Sequence, residues 1–128
     1  MQNGYPVWYF FYGTLCDTHF LQKRLGLEIS PQLMDAVVYG GRTSTWGHGK
    51  YKALVDGAEN EVVIGKAFLV QDREQEDTLC FFETDVYEVV RCSIGMRGKS
   101  IGDGKGNDKK ERITGLCFRF CGEEALLD

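Results

Sequence analysis

The chain has 128 residues, of which 43% are hydrophobic, and 19 acidic against 15 basic side chains give a net charge of −4. This length fits one domain, residues 1–128, which can bury a core and has no room for a second module. The acidic balance, without a stripe of lysine and arginine, argues against nucleic acid as a partner, and the longest apolar run is too short to cross a bilayer.

The first half of the chain predicts two strands and one helix. An apolar strand covers about Tyr5–Tyr12 and stops at a glycine. A helix follows, with Asp17 as its N-cap and Gly26 as its C-terminal stop. A second extended segment runs over about Gln32–Gly40 and leads into a glycine-rich, aromatic stretch, 40–57.

The next part of the chain predicts a buried strand followed by a short helix. Glu61–Val70 is rich in β-branched and apolar residues, which is typical of a strand. Asp72 and Gln75 have the spacing of a capping box, so a helix should begin there. Its apolar face would carry Leu79, Phe82 and Glu83, which are three and four residues apart.

The last part predicts two strands joined by a long loop. The strands cover about Asp85–Ile94 and Ile113–Phe120, and the hydrophilic segment Arg97–Arg112 between them is expected to be a mobile hairpin loop outside the core. Glu123–Asp128 is expected to form a short helical tail. Many strands with two short helices predict an α+β fold built on a small mixed β-barrel, and 16 glycines suit its bends.

The cysteines and histidines predict neither disulfides nor a metal site. Five scattered cysteines, mostly in apolar runs, are expected to be reduced core residues. Only two histidines, His19 and His48, are present, and Cys117 and Cys121 lack a second ligand pair. The segment Gly98–Ser100 lacks the glycine of a phosphate-binding loop, so no cofactor is expected. Because no secretory signal precedes the first strand, we expect a cytoplasmic protein.

Two residues are candidates for chemistry, and each has a structural alternative. Cys16 lies at the predicted helix start, where the helix dipole lowers a thiol pKa, and His19 follows three residues later; alternatively, Cys16 only fills space at the turn. Glu83 follows an apolar run, so partial desolvation would raise its pKa and suit it to proton transfer; alternatively, it ends a helix in water. The residues alone leave both alternatives open.

Two motifs together resemble a known family. Tyr12-Gly13-Thr14-Leu15 follows the apolar first strand, and Leu79, Phe82-Glu83 and Tyr87-Glu88 follow later at fixed spacing. This combination resembles the γ-glutamylcyclotransferase family, in particular its AIG2-like branch. The segments between them, such as Tyr51 to Val55 and Val63 to Phe68, resemble the middle strands of the family, so the resemblance extends from about Trp8 to Phe120.

The resemblance implies a small β-barrel with flanking helices and a cavity. The turn formed by Tyr12, Gly13, Thr14 and Leu15 would hold the γ-glutamyl part of a small-molecule substrate with backbone groups, and Tyr87 would lie near the cavity. Glu83 would carry protons while the substrate's own α-amine attacks its side-chain carbonyl, which gives 5-oxoproline and releases an amine. This chemistry implies no metal and no cofactor.

The sequence also departs from the family. Lys52 stands after Tyr51, where relatives often have proline, and Thr84 follows Glu83 in place of a frequent glycine. The departures leave the released amine undecided among amino acids, peptides and simple amines. A non-catalytic small-molecule binding protein of the same fold is the main alternative, and an interaction module using the Arg97–Arg112 loop is a third.

Overall fold

A computed structural model describes residues 4–83, 86–97 and 111–128. Its elements, in chain order, are β1 (Val7–Phe11), a 3₁₀ helix (Thr14–Cys16), α1 (Thr18–Leu25), β2 (Met34–Tyr39), β3 (Gly41–Trp46), β4 (Tyr51–Asp56), β5 (Val62–Val70), α2 (Arg73–Glu83), β6 (Tyr87–Met96), β7 (Glu111–Phe120) and a C-terminal 3₁₀ helix (Glu124–Leu126). None of the described helices is long and apolar enough to span a membrane.

Five strands close into a barrel in the order β1-β5-β2-β6-β7. β1 and β7 pair in parallel and the other neighbours pair antiparallel, so the expected small mixed barrel with two short helices is confirmed. β3 and β4 form a separate antiparallel hairpin. The closed sheet leaves no unpaired edge among its five strands, which is how small barrels avoid edge-to-edge association.

β1 is apolar along its whole length because both of its faces are covered. Tyr9 and Phe11 pack into a cluster that also contains Leu21 of α1 and Leu79 of α2. Phe10 faces the opposite way, into a cluster built from the strands. A strand that is buried on both faces needs a continuous apolar run and not an alternating one.

The capping residues predicted for both helices are confirmed. The Asp17 carboxylate accepts a 3.1 Å hydrogen bond from the backbone N–H of Phe20, and Gly26 ends α1 in the left-handed region at φ 65°. At α2, Asp72 accepts a 2.9 Å bond from the backbone N–H of Gln75. The side-chain oxygen of Gln75 in turn accepts from the backbone N–H of Gln71. In an ideal capping box it would accept from the N–H of the cap residue itself, Asp72.

The β3–β4 hairpin is the element that periodicity does not predict. Its turn holds three consecutive residues in the left-handed region, Gly47, His48 and Gly49, at φ 66°, 60° and 80°. A remote carboxylate stabilises this turn: Asp128 accepts from the backbone N–H groups of His48 and Gly49 at 3.1 and 2.5 Å and from the Thr45 hydroxyl at 2.9 Å.

The prediction that the cysteines are core residues is wrong for two of the five. Cys117 is buried and Cys16 and Cys92 are half-buried, but Cys80 and Cys121 are exposed. Cys80 follows the fully buried Leu79 in α2. A step of one residue turns a side chain by about 100° around a helix, so an apolar run in the sequence does not place all its members in the core.

Several predictions at the end of the chain concern residues that the structure describes only in part. Residues 98–110, most of the predicted loop, and residues 84–85, where the predicted strand begins, lie outside the described residues. The strands on either side of the loop pair antiparallel from Tyr87 with Phe120 to Met96 with Glu111. The predicted helical tail is a single 3₁₀ turn.

Candidate functional site

A cavity of about 460 Å³ opens beside the end of β1. Its walls come from the first strand and its following turn, the β3–β4 hairpin, the end of α2, and facing residues of β6 and β7. The lining residues are Phe10, Phe11, Tyr12, Gly13, Thr14, Leu15, Trp46, Lys50, Tyr51, Lys52, Phe82, Glu83, Tyr87 and Phe118. All six residues to which the resemblance assigns a role lie in this wall, although they come from two separate parts of the sequence.

Glu83 is the one carboxylate among the described residues that line the cavity. It is the last residue of α2, and burial raises the pKa of its side chain to about 7. No described lysine or arginine forms an ion pair with it. A carboxyl group that is desolvated and unpaired can exist in both protonation states near neutral pH, which suits it to accepting and returning a proton.

Contacts between α1 and α2 hold the last turn of α2, which ends at Glu83. Phe82, its neighbour, packs edge-on against Phe20 with ring centres 5.2 Å apart. The Arg24 guanidinium lies over both rings, 5.1 Å from the centre of Phe20 and 4.8 Å from that of Phe82. The last turn of α2 is therefore held by packing and not only by its own backbone hydrogen bonds.

The turn after β1 presents backbone to the cavity. Gly13 is the N-cap of the 3₁₀ helix. The Gly13 carbonyl accepts a 3.0 Å hydrogen bond from the backbone N–H of Cys16. The N–H groups of Thr14 and Leu15 begin this helix and have no partner within it. A Cβ atom added at Gly13 would meet nothing within 4 Å, so packing within the described residues does not require a glycine there. A glycine that packing does not require leaves room for a ligand.

The two tyrosines of the motifs line the cavity with their rings, while their hydroxyl groups bind the protein. The Tyr12 hydroxyl donates to the carbonyl of Phe118 at 2.6 Å and accepts from the N–H of Leu54 at 3.1 Å. Burial raises the Tyr12 pKa far above its usual range, and the nearby Glu83 charge adds to the rise. Two hydrogen bonds therefore hold the Tyr12 phenol in place as part of the cavity wall.

Tyr87 has the same arrangement on the other side of the cavity. Its hydroxyl donates to the carbonyl of Lys52 at 2.7 Å and accepts from the Trp46 indole N–H at 2.9 Å. Burial raises its pKa, and the charge of Glu83 is a further cause. Glu83 thus lies near both tyrosines, a proximity that the sequence alone could not establish.

Half of the lining residues that were not predicted from the sequence lie on the β3–β4 hairpin. Trp46 and Lys50 line the cavity, and Trp46 packs against Tyr51 with ring centres 4.7 Å apart. The signal that could have found them is the pairing of aromatic residues with glycines in segment 40–57, which is typical of a tight turn presenting rings to a ligand.

Cys16, the candidate thiol nucleophile, has neither the lowered pKa nor the place in the described cavity wall expected of a nucleophile. Burial raises the pKa of Cys16, and its Sγ donates to the Phe11 carbonyl at 3.1 Å. Cys16 is absent from the described lining of the cavity, and His19 is exposed on α1. The expected lowering of the pKa fails because the helix dipole there is outweighed by burial among apolar groups.

Comparison with known proteins identifies a family. The family model described as "Gamma-glutamyl cyclotransferase, AIG2-like" matches residues 9–116. No curated protein matches the chain. The matched region contains the turn after β1, the β3–β4 hairpin and Glu83, so it includes most of the cavity wall.

Solved structures with the same fold are distant in sequence. Two Arabidopsis thaliana proteins, At3g28950.1 and At5g39720.1, give TM-scores of 0.73 and 0.71 at 15% and 17% identity and cover 94% and 99% of this chain. A protein titled gamma-glutamyl cyclotransferase gives 0.63 at 15% identity over 89% of this chain. This chain spans 66%, 78% and 66% of their respective lengths.

Proposed function

We propose, from the premise that this chain belongs to the AIG2-like gamma-glutamyl cyclotransferase family, that it cyclises a γ-glutamyl amide to 5-oxoproline and releases the amine. One observation carries this proposal: an unpaired carboxyl group with a pKa of about 7, Glu83, faces the same cavity as the backbone of the Gly13 turn. The substrate is a small molecule that carries a γ-glutamyl group. Glu83 carries the proton.

The reaction moves two protons from the attacking nitrogen to the leaving nitrogen, because an α-ammonium becomes a lactam N–H while the amide nitrogen becomes an ammonium. The α-ammonium of the substrate, whose ordinary pKa is about 8, loses a proton to the ionised Glu83 and becomes a nucleophile. The free amine attacks the side-chain carbonyl, a C–N bond closes the five-membered ring, and the carbonyl oxygen becomes an oxyanion. The bond to the leaving nitrogen then breaks and the carbonyl re-forms as Glu83 gives its proton to that nitrogen. Glu83 next takes the extra proton from the ring nitrogen and passes it to the released amine or to solvent, so the enzyme ends in its starting state.

The match between the two pKa values supports Glu83 in this role. A base with a pKa of about 7 takes a proton from an α-ammonium at little energetic cost and still returns it to a departing nitrogen. An ordinary glutamate, with a pKa near 4.5, would be a weaker base by more than two orders of magnitude. Desolvation of the carboxyl group by the cavity wall is what raises the value.

The turn after β1 would fix the substrate in the conformation that closes the ring. The N–H groups of Thr14 and Leu15 border the cavity and are suited to bind the substrate's carboxylate or the oxyanion. The rings of Tyr12 and Tyr87 would confine the aliphatic part of the γ-glutamyl group between them. Intramolecular attack gains its rate mainly from such restriction, because reacting groups on one chain already have a high effective concentration.

The test is release of 5-oxoproline from a panel of γ-glutamyl dipeptides, γ-glutamyl amines and glutathione, with wild type beside Glu83→Gln. We expect product from at least one class and a loss of at least about 100-fold in kcat in the variant, as for removal of a general acid–base. Glu88→Gln is the matched control, because Glu88 is exposed on β6 and does not line the cavity.

Two outcomes would overturn the proposal in different ways. Full turnover by a folded Glu83→Gln variant would remove Glu83 as the proton carrier. No product from any compound, combined with calorimetric binding of a γ-glutamyl dipeptide, would instead identify a non-catalytic binding protein of the same fold.

A further inference from the structure

The cavity wall carries more positively than negatively charged side chains. Among the described lining residues three are charged, and they are Lys50, Lys52 and Glu83. Glu83 with its raised pKa is only partly ionised at neutral pH, so the cavity has an excess of positive charge. A cavity with an excess of positive charge favours an anionic ligand. This local excess contrasts with the net charge of the whole chain, which is −4.

Neither lysine is neutralised by the protein. Of the described residues, none forms an ion pair with Lys50 or Lys52. By contrast, Lys66 on the neighbouring strand β5 pairs with Asp35. Two unpaired ammonium groups at one cavity repel each other, and a bound anion relieves that repulsion.

The two lysine side chains at the cavity have different neighbours. Lys52 lines the cavity and lies near the turn after β1. Burial is the main influence on the pKa of the Cys16 thiol in this turn and raises it, while the Lys52 charge opposes that rise. Lys50 lies at the tip of the hairpin, and its Nζ is 5.4 Å from the centre of the Tyr51 ring. Lys52 is therefore close to the groups proposed to hold the γ-glutamyl end, whereas Lys50 lines the cavity from the hairpin turn, beside the Tyr51 ring.

The position of Lys50 is set by the hairpin turn. Its backbone N–H donates to the carbonyl of Gly47 at 3.3 Å, which closes the turn. Asp128 holds the same turn through the N–H groups of His48 and Gly49. A charge on a turn that is fixed by this many bonds loses less entropy on binding a ligand than a charge on a free loop does.

We propose that Lys50 selects a substrate whose leaving group carries a carboxylate next to the scissile amide, so that the released amine is an amino acid. This inference rests on the proposed function. Every γ-glutamyl compound has an α-carboxylate at the γ-glutamyl end, which Lys52 and the turn after β1 would bind. The second lysine is then available for a second carboxylate, which only one class of γ-glutamyl compound has.

The test compares γ-glutamyl-alanine with γ-glutamyl-alaninamide, which differ in the charge of the leaving group and hardly in size. In wild type we expect kcat/KM to be at least about fivefold higher for the carboxylate, the size of effect expected for one charge-assisted contact that is partly exposed. Lys50→Gln should bring the two values within twofold of each other, and Lys50→Arg should keep the preference. Raising the salt concentration should reduce the preference in wild type, because salt screens exposed charges.

Two further variants separate the roles of the lysines. Lys52→Gln should lower kcat/KM for both substrates by the same factor and leave their ratio unchanged. Lys23→Gln removes an exposed lysine of α1 that does not line the cavity, so both values should stay as in wild type.

The result that overturns the inference is a wild-type enzyme that uses both substrates equally, or a preference that survives Lys50→Gln. Either of these leaves the proposed function intact, since 5-oxoproline is still formed. Absence of 5-oxoproline from both substrates and from the wider panel overturns the proposed function and this inference with it.

Discussion

The hydroxyl of Tyr87 donates a 2.7 Å hydrogen bond to the backbone carbonyl of Lys52 and thereby joins two walls of the cavity. Tyr87 begins β6 of the barrel, and Lys52 lies on the β3–β4 hairpin, which is a separate sheet. The same hydroxyl accepts from the Trp46 indole N–H at 2.9 Å, so a single phenol holds both strands of the hairpin. The position of the hairpin lysines over the cavity thus depends on a residue of the barrel.

Replacing Tyr87 by phenylalanine should loosen the hairpin. The change removes one donor and one acceptor, and the free energy of unfolding should fall by about 1 kcal/mol, with KM rising. Urea unfolding and steady-state kinetics measure the two effects. Tyr51→Phe is the control for stability, because the described residues give the Tyr51 hydroxyl no hydrogen bond; an equal loss of stability in both variants would contradict the role of the Tyr87 hydroxyl.

Gly13 should be required for activity and not for folding. A methyl group there meets nothing within 4 Å and the backbone φ is −128°, so Gly13→Ala should change the free energy of unfolding by less than about 0.5 kcal/mol. We expect kcat/KM to fall at least tenfold, because the methyl group would occupy space proposed for the substrate. Thermal unfolding and 5-oxoproline release are the measurements.

Gly26→Ala is the matched control for Gly13→Ala. Gly26 has φ 65°, and its position at the end of α1 is away from the cavity. A side chain in the left-handed conformation costs about 1 kcal/mol, so this variant should lose stability and keep its activity. If Gly13→Ala behaved in the same way, Gly13 would be a structural glycine.

The pH dependence of turnover should report the ionisation of Glu83. Glu83 must be ionised to accept a proton, so kcat/KM should fall as the pH drops below about 7, the value to which burial raises its pKa. Rates measured between pH 5 and 9 on one γ-glutamyl dipeptide give this profile. An acid limb with a midpoint near the ordinary glutamate value of 4.5 would show that the carboxyl group in solution is not desolvated.

The same carboxyl group should make the wild type less stable at higher pH. Because the folded pKa of about 7 lies above the unfolded value of 4.5, the folded state binds the proton more tightly, and stability is lost as the pH rises from about 4.5 through 7. Glu83→Gln cannot ionise, so above pH 7 it should be more stable than wild type by on the order of 1 to 2 kcal/mol. Urea unfolding at pH 5 and pH 8 tests this: an unchanged difference between the two proteins would contradict it.

A second carboxylate, Glu76, should contribute to stability through two tyrosines. Its Oε1 and Oε2 accept from the hydroxyl groups of Tyr5 and Tyr9, each at 2.5 Å, which ties α2 to the first strand. Glu76→Ala leaves the fully buried Tyr9 without this partner and should cost about 2 to 3 kcal/mol. Glu74→Ala, an exposed change on the same helix, should cost less than about 0.5 kcal/mol in urea unfolding.

The sequence by itself determined the barrel strands, the two helices and the residues at their ends. Caps such as Asp17 and Gly26 act over three or four residues, so their effect can be predicted from neighbours in the chain. The continuous apolar run of β1 likewise indicates a strand that is covered on both faces. The resemblance to the family rested on short motifs, which the match over residues 9–116 supports.

Only the tertiary structure decided what surrounds those motifs. The hairpin turn at Gly47–Gly49 depends on Asp128, far along the chain, and a pattern of neighbouring residues cannot reveal such a contact. For the same reason Cys80 is exposed while its neighbour Leu79 is buried. The raised pKa of Glu83 and the two unpaired lysines are properties of a cavity whose walls come from distant segments, because desolvation and charge depend on three-dimensional packing.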